Sequence, residues 1–206
     1  MWGAGSEWFW AFWQFIAVVL TLVLIWKQVK QQTESHKSIE KQVKLQTKEV
    51  EIQTASHVVQ TVCTIQERWC SETMQRVRLE VCTEWENGKR DFDGACEYIA
   101  CFFEELGTFV KIKAIPIETM WDMQSWNIEY YWGMFKTGIL KIRKNYKEPV
   151  YSDFEGLFRV MREISDAKGA PSVDEASLDE FVKREIRATK ACLEINKKKG
   201  CRGSDS

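Results

Sequence analysis

The sequence has few of the residues from which catalytic and metal sites are usually built. It holds only two histidines, His36 and His57, and its seven cysteines form no C-x-x-C pair, so no zinc ligand set can be assembled by spacing. It contains no glycine-rich phosphate loop, no nucleophile motif and no H-E-x-x-H. We therefore predict no catalytic site, no metal and no cofactor. The scattered, odd-numbered cysteines are typical of reduced cytoplasmic thiols.

Charge is balanced overall but unevenly distributed along the chain. The sequence has 29 Lys and Arg against 30 Asp and Glu, so nothing global predicts a nucleic-acid partner. Residues 61–182 carry 15 basic and 22 acidic residues, a net charge of −7, whereas residues 183–202 carry eight basic and two acidic residues. On the other side of this acidic body, residues 27–51 carry six lysines and four glutamates. Basic segments on both sides of an acidic body, one of them next to an apolar helix, favour a membrane surface as a partner.

The longest uncharged segment runs from Trp8 to Trp26. Its 19 residues would span about 28 Å as a helix, close to the thickness of a bilayer core. Aromatic residues crowd its first half and Trp26 closes it, as in interfacial belts. The start, MWGAGSE, has no basic residue and the end has no A-x-A cleavage site, which argues against a signal peptide. We predict a transmembrane helix over 8–26, following a short extracytoplasmic N-terminus at 1–7.

Basic residues follow this segment at once and none precedes it. The positive-inside rule then places the N-terminus outside and the rest of the chain in the cytoplasm. The predicted localisation is the inner (cytoplasmic) membrane, with a single pass and the lipid bilayer as a partner. The predicted membrane anchor comprises Trp8, Trp10, Trp13, Trp26, Lys27 and Lys30.

Residues 27–60 are rich in Lys, Gln and Glu and contain no Gly or Pro, which predicts a polar helical stalk. A heptad row reads Val29, His36, Val43, Val50 and His57, and its companion row is mostly Gln. Two interpretations stay open. The stalk is either a coiled coil that assembles a homo-oligomer, or a solvated single helix that holds the following domain away from lipid.

Residues 61–168 show helical periodicity throughout. They predict a cytoplasmic bundle of about four helices, so the fold class is all-α. The first bundle helix is expected to end at Asn87-Gly88, and the third lies between Pro116 and Pro149. The fourth begins at a predicted capping box, Ser152-x-x-Glu155.

Residues 169–206 predict a linker and then a basic C-terminal helix that starts at the capping box Ser177-x-x-Glu180. Two interpretations stay open here as well. The basic tail either binds the acidic body or anionic lipid headgroups, or it is a solubilising tail that frays at its end. Its basic residues are Lys183, Arg184, Arg187, Lys190, Lys197, Lys198 and Lys199.

The motif FFEELG, residues 102–107, holds the most conspicuous carboxylates. At helical spacing Glu104 lies opposite the apolar stripe, which predicts contact with solvent or a partner, and Glu105 lies at the margin of the core. We expect Glu105 to form an ion pair with Arg143 or with an arginine of the first bundle helix. Those arginines are Arg68, Arg76 and Arg78.

The apolar span, the polar stalk and the motifs FFEELGTFV, IEYYW and I-x-x-x-R together resemble a bacterial domain-of-unknown-function family of small, membrane-anchored helical proteins. The resemblance covers about residues 60–165 and implies fold and topology only. One departure is the turn near Ala114, where the family often has Gly. The matching positions are Phe102, Phe103, Glu104, Gly107, Tyr131, Trp132, Arg143, Phe154 and Leu157.

These features favour a membrane-anchored interaction or oligomerisation protein that is not an enzyme and that has an unidentified cytoplasmic protein partner. Two alternatives stay open. The first is an effector that perturbs the membrane, as in phage defence or exclusion. The second is an enzyme that acts on a lipid or a nucleotide through a site that no motif marks.

Overall fold

A computed structural model describes residues 5–202, with side chains except for 5–8, 37, 38 and 199–202. All regular structure in these residues is helical, which confirms the all-α prediction. The chain divides into two compact units, Met1–His57 and Val58–Ser206. The helices are α1 (Gly5–Trp69), α2 (Glu72–Glu86), α3 (Gly94–Lys111), α4 (Ile117–Tyr146), α5 (Ser152–Ala167) and α6 (Glu175–Arg202).

The first unit consists of the N-terminal part of α1. No proline interrupts this part of the chain, so the backbone hydrogen bonds can continue through it. An 18-residue window within it has a mean hydropathy of 2.1, and none of that window is buried. This stretch therefore has the length and composition of a membrane-spanning helix or a signal sequence.

The second unit begins with the last turns of α1 and differs from the prediction at its first helix. The expected single helix up to Asn87 is interrupted, because α1 ends at Trp69 and α2 begins at Glu72. Ser71 caps α2, since its Oγ accepts a hydrogen bond from the backbone N–H of Met74 at 3.3 Å. The break explains why the apolar stripe of this stretch drifts sideways: it runs through Val62, Ile65 and Trp69 before the break and through Val77, Val81 and Trp85 after it.

The core of the second unit is aromatic and centres on Tyr131, which is fully buried on α4. Burial of each such ring contributes about 2–3 kcal/mol, and ring pairs in these geometries add about 1 kcal/mol. The rings of α1, α3, α4 and α6 therefore converge on one residue. The centroids of Trp69, Phe103, Phe135 and Phe181 lie 6.0, 5.7, 5.5 and 5.3 Å from that of Tyr131.

The predicted C-terminal helix is present as α6, which packs chiefly on α2 and so belongs to this bundle. It starts at Glu175, because Asp174 and Ser177 cap it reciprocally. The Asp174 Oδ1 atom accepts from the Ser177 N–H at 2.8 Å, and the Ser177 Oγ accepts from the Asp174 N–H at 2.9 Å. The apolar face of α6 is buried through Phe181 and Val182.

Candidate functional site

The predicted anchor residues that the structure describes lie on the exposed surface of α1. More than half of Trp10, Trp13 and Trp26 is accessible. The Lys30 Nζ atom lies 5.8 Å from the centroid of the Trp26 ring, one helical turn away, which is a weak cation–π contact. Lys27 precedes this pair in the sequence and is also exposed. The side chain of Trp8 lies outside the described part of the chain.

The expected ion pair of Glu105 is present and involves Arg68, at the end of α1. The Arg68 guanidinium also lies 5.4 Å from the Phe102 ring centroid. Because 42% of the Arg68 side chain and 44% of that of Glu105 are exposed, water screens the pair and it contributes at most about 1 kcal/mol. The pair therefore joins the end of α1 to α3 at the surface of the bundle.

Arg143, the other predicted partner of Glu105, binds the turn between α4 and α5 instead. Its Nε donates to the Val150 carbonyl at 2.8 Å and its Nη2 donates to the Tyr151 carbonyl at 2.9 Å. Its Nη1 pairs with Glu155. The hydrogen bond from Arg143 lowers the pKa of Glu155. The predicted capping box at Ser152 therefore does not form, since Glu155 faces Arg143 and Tyr151 precedes the helix in the left-handed region, with φ 55°.

The prediction that Glu104 faces solvent or a partner is wrong. This half-buried carboxylate caps α5, because its Oε2 accepts a hydrogen bond from the backbone N–H of Phe154 at 2.6 Å. Helix α3 thus packs on two sides, and α5 covers the side opposite the main apolar stripe. Gly107 permits this approach, since a Cβ there would lie 2.3 Å from the carbonyl oxygen of Asp153.

A buried polar cluster that the sequence did not predict links α2, α4 and α6. The Arg78 Nε donates to the Glu185 Oε1 at 2.5 Å, and the Tyr131 hydroxyl donates to the same oxygen at 3.2 Å. The Arg78 guanidinium also lies 4.1 Å from the centroid of the Trp69 ring. Desolvation raises the pKa of Tyr131 well above its usual value, so this hydroxyl stays protonated at neutral pH.

A second unpredicted cluster joins α4 to α5. Glu129 is buried, and its Oε1 accepts from the Ser165 hydroxyl at 2.5 Å while its Oε2 accepts from the Arg162 Nη1 at 2.8 Å. The Trp121 indole N–H donates to the Ser165 Oγ at 3.0 Å. Arg162 also donates to the carbonyl of Ala170, at 2.8 Å, in the segment that leads to α6. Glu129 and Arg162, the charged residues of this cluster, are therefore paired with each other within the bundle.

Both clusters pair buried charges within the bundle. Among the described residues, no group of three or more His, Cys, Asp or Glu side chains is placed to hold a metal ion. Two grooves of the bundle have volumes of about 560 and 450 Å³; the Arg78–Glu185 pair lines neither, whereas Glu129 lines the second. The buried charges hold helices together, which is their ordinary role when each is paired.

The basic residues of α6 lie on the face opposite its buried one. Lys183, Arg184, Arg187 and Lys190 are all exposed, and the guanidinium of Arg184 lies 4.4 Å from the centroid of the Trp126 ring. Further along the helix, Lys197 and Lys198 are exposed and the side chain of Lys199 lies outside the described residues. The predicted basic tail is therefore a positively charged face of a helix that packs in the bundle.

Comparison of the chain with models of known protein families, with curated proteins and with solved structures gives no match. The resemblance to a family of small membrane-anchored helical proteins accordingly stays a prediction.

Proposed function

We propose that the protein is a single-pass bacterial inner-membrane protein, with its N-terminus outside and a cytoplasmic helical bundle that acts as an interaction module. The observation that carries the proposal is the exposed apolar stretch of α1, where a window of mean hydropathy 2.1 has no buried residue. A large apolar side chain that stays in water lacks the roughly 1.5–3 kcal/mol of stabilisation that burial would give it. A run of exposed apolar residues on one helix therefore favours lipid as its surroundings.

Orientation and compartment follow from the flanks of this stretch. Lys27 and Lys30 come directly after it and no basic residue comes before it, which favours retention of the C-terminal side in the cytoplasm. The bundle agrees with a reducing compartment, since the six cysteines whose side chains the structure describes are all free.

An interaction role is favoured over catalysis by the state of the charged groups. The conspicuous carboxylates Glu104, Glu105 and Glu185 are used for a helix cap and two ion pairs within the bundle. The surface of α6, in contrast, presents cations that contact no carboxylate among the described residues, namely Lys183, Arg184, Arg187 and Lys190. A positively charged face of this kind is suited to anionic partners.

Membrane extraction and intact mass measurement test the anchor. We expect the full-length chain to stay in the membrane pellet after alkaline carbonate washing and to retain its N-terminal residues. Release of the protein into the soluble fraction would contradict the proposal. A mass that lacks the apolar segment would identify a cleaved signal sequence instead.

Reporter fusions at Ser206 test the orientation. A fluorescent protein that matures only in the cytoplasm is expected to fluoresce when it is fused at Ser206. Alkaline phosphatase, which is active only outside the cytoplasm, is expected to be inactive at the same position. The matched variant moves the charge, combining Lys27→Gln and Lys30→Gln with Gly3→Lys and Gly5→Lys. This variant should shift the reporters towards the opposite orientation. An active phosphatase on the unaltered chain would overturn the assignment.

A further inference from the structure

The lysines of the stalk occupy only two positions of its heptad. With Val29 taken as position a, all six lysines of residues 27–51 lie at b or f. These positions point away from the seam of a coiled coil. The lysines at b are Lys30, Lys37 and Lys44, and those at f are Lys27, Lys41 and Lys48.

The four rows that would form or flank a seam carry little charge. Over residues 27–57, positions a, d, e and g contain only two charged residues, Glu40 and Glu49. In a parallel, in-register pair their e–g neighbours would be Ser35 and Thr54, so no like charges would meet. Three threonines of row e also bond to their own helix, which lowers the cost of removing their hydroxyls from water. Thr33, Thr47 and Thr54 donate to the carbonyls four residues earlier at 2.9, 2.9 and 2.8 Å.

The same heptad frame continues into the apolar segment. Gln14 and Thr21 are the strongly polar residues between Trp8 and Trp26, and both fall at position g. The row then continues as Gln28, Ser35 and Gln42 in the stalk. Because a sustained seven-residue repeat keeps one face in contact along a left-handed supercoil, the polar residues of the span and the seam of the stalk would face the same neighbour.

Gln14 lacks a partner within the described chain. Thr21 satisfies its hydroxyl by donating to the Ala17 carbonyl at 2.8 Å, whereas the exposed Gln14 amide makes no hydrogen bond to a described residue. An amide facing hydrocarbon without a partner costs several kcal/mol. A polar partner on a neighbouring helix removes that cost, and glutamine side chains do hydrogen-bond across transmembrane helices.

The stalk is poorly equipped to stand as a single helix. A helix that is polar on all sides needs many ion pairs between residues four apart, yet the described stalk side chains make one lysine–glutamate pair, Lys44 with Glu40. Its seam valines, Val29, Val43 and Val50, are 53%, 53% and 59% exposed. Packing these valines against another helix would remove apolar surface that nothing in the described chain covers.

We propose that the partner of this helix is a second copy of the chain, and that copies assemble in parallel and in register through one heptad face that runs from the membrane span into the stalk. The proposal rests on the proposed membrane topology, because copies inserted in one orientation are parallel. Within the bilayer the Gln14 amide of each copy lies on the flank of the contact and hydrogen-bonds to polar groups of the neighbouring copy. Below it, the a and d rows pack and the lysines face water.

Cysteine cross-linking of the full-length chain in membranes tests the face. In a background where the exposed and C-terminal cysteines Cys63, Cys70, Cys101, Cys192 and Cys201 are serine, one new cysteine is placed at position a by Val50→Cys. The matched control, Lys48→Cys, lies two residues away at position f. Mild oxidation should give covalent dimers for Val50→Cys and few for Lys48→Cys. Equal yields, or no dimer from either, would overturn the proposal.

Variants at Gln14 test the polar contact in the span. Gln14→Leu should weaken association in the membrane about tenfold, whereas Gln14→Asn, which keeps the amide, should weaken it less. The control Gln14→Leu with Ile16→Gln keeps one glutamine in the span and moves the amide to row b, so it should not restore association. Unchanged association of Gln14→Leu, or recovery in the double variant, would contradict the proposal.

The two proposals fail in different ways. Carbonate extraction is measured on each variant before cross-linking, so a chain that leaves the membrane contradicts the topology. A chain that stays in the membrane but does not cross-link through Val50→Cys contradicts only the assembly face.

Discussion

Arg78 on α2 and Glu185 on α6 form a buried ion pair across 107 positions of the sequence, with the Arg78 Nε 2.5 Å from the Glu185 Oε1. Only 10% and 7% of these side chains are accessible. The Tyr131 hydroxyl donates to the same carboxylate at 3.2 Å. Helices α2 and α6 are therefore joined by an ion pair that water screens little.

Removal of the carboxylate should destabilise the bundle strongly. Glu185→Ala leaves the Arg78 guanidinium buried without its partner, which typically costs about 3–5 kcal/mol. The free energy of unfolding by urea, measured on the detergent-solubilised chain, checks this value. The matched control is Glu72→Ala, which breaks the exposed pair of Glu72 with Arg76 and should cost less than about 1 kcal/mol. Similar losses of unfolding free energy in the two variants would show that the buried pair contributes no more to stability than the exposed one.

Loss of the Glu104 carboxylate should weaken the start of α5. Glu104→Ala removes the acceptor of the Phe154 N–H, and loss of a helix N-terminal acceptor costs about 1 kcal/mol. Amide hydrogen exchange should quicken at the first turn of α5, and Glu104→Gln, which keeps an acceptor oxygen, should restore much of the protection. Glu105→Ala serves as the neighbouring control and should leave α5 exchange unchanged. If Glu104→Ala exchanges like the unaltered chain, the cap is not formed in solution.

The helical class and several helix ends were predictable because their signals are local. Asn87-Gly88 ends α2, and Pro116 immediately precedes α4, since these residues disfavour a continuing helix whatever surrounds them. The break at Ser71 has no such signal. Serine is a preferred N-cap residue but also occurs inside helices, and no Gly or Pro stands beside it here, so the drift of the apolar stripe is the clearer mark of the change of direction.

The buried contacts were not predictable for a different reason. The role of Glu104 depends on α5 covering a second side of α3, and a helical wheel built on one apolar stripe cannot supply that second neighbour. Glu185 lies in a basic segment, so its sequence context favours a solvent-exposed ion pair with a neighbouring lysine or arginine. The alternation of Phe181, Val182, Ile186 and Thr189 with basic residues was the available signal for a packed face of α6.

Two glycines should respond to alanine in opposite directions. Gly107→Ala would place a Cβ 2.3 Å from the Asp153 carbonyl oxygen, so α3 and α5 must separate at a cost of about 1–3 kcal/mol. Gly156 lies inside α5 with open space around its Cβ position, so Gly156→Ala should stabilise the helix by about 0.5–1 kcal/mol. Urea unfolding of both variants measures the difference. A neutral Gly107→Ala would mean that the two helices do not approach this closely.

Acid should remove the contribution of Glu155. Its hydrogen bond from Arg143 lowers its pKa below the ordinary value of 4.5, so the folded state binds its proton less readily than the unfolded state. The resulting stability is present above the unfolded pKa and is lost as the pH falls through the folded pKa. Glu155→Gln should be less stable than the unaltered chain at pH 7, and the difference should shrink as the pH falls to 3. A constant difference would show that Arg143 does not perturb this carboxylate.

The cysteines should divide into reactive and protected groups. Burial raises the pKa of the Cys82 thiol to about 12, and desolvation does the same to that of Cys96, so few thiolates exist at pH 8 and reagents have little access. The exposed Cys63, Cys70 and Cys192 should therefore be alkylated by iodoacetamide well before the two buried thiols. Mass spectrometry of tryptic peptides reads the order, and alkylation in urea provides the control in which the difference disappears. Rapid labelling of Cys82 under native conditions would mean that the bundle opens around this thiol, which is fully buried and lies 3.8 Å from the Tyr131 hydroxyl of α4, on the timescale of the reaction.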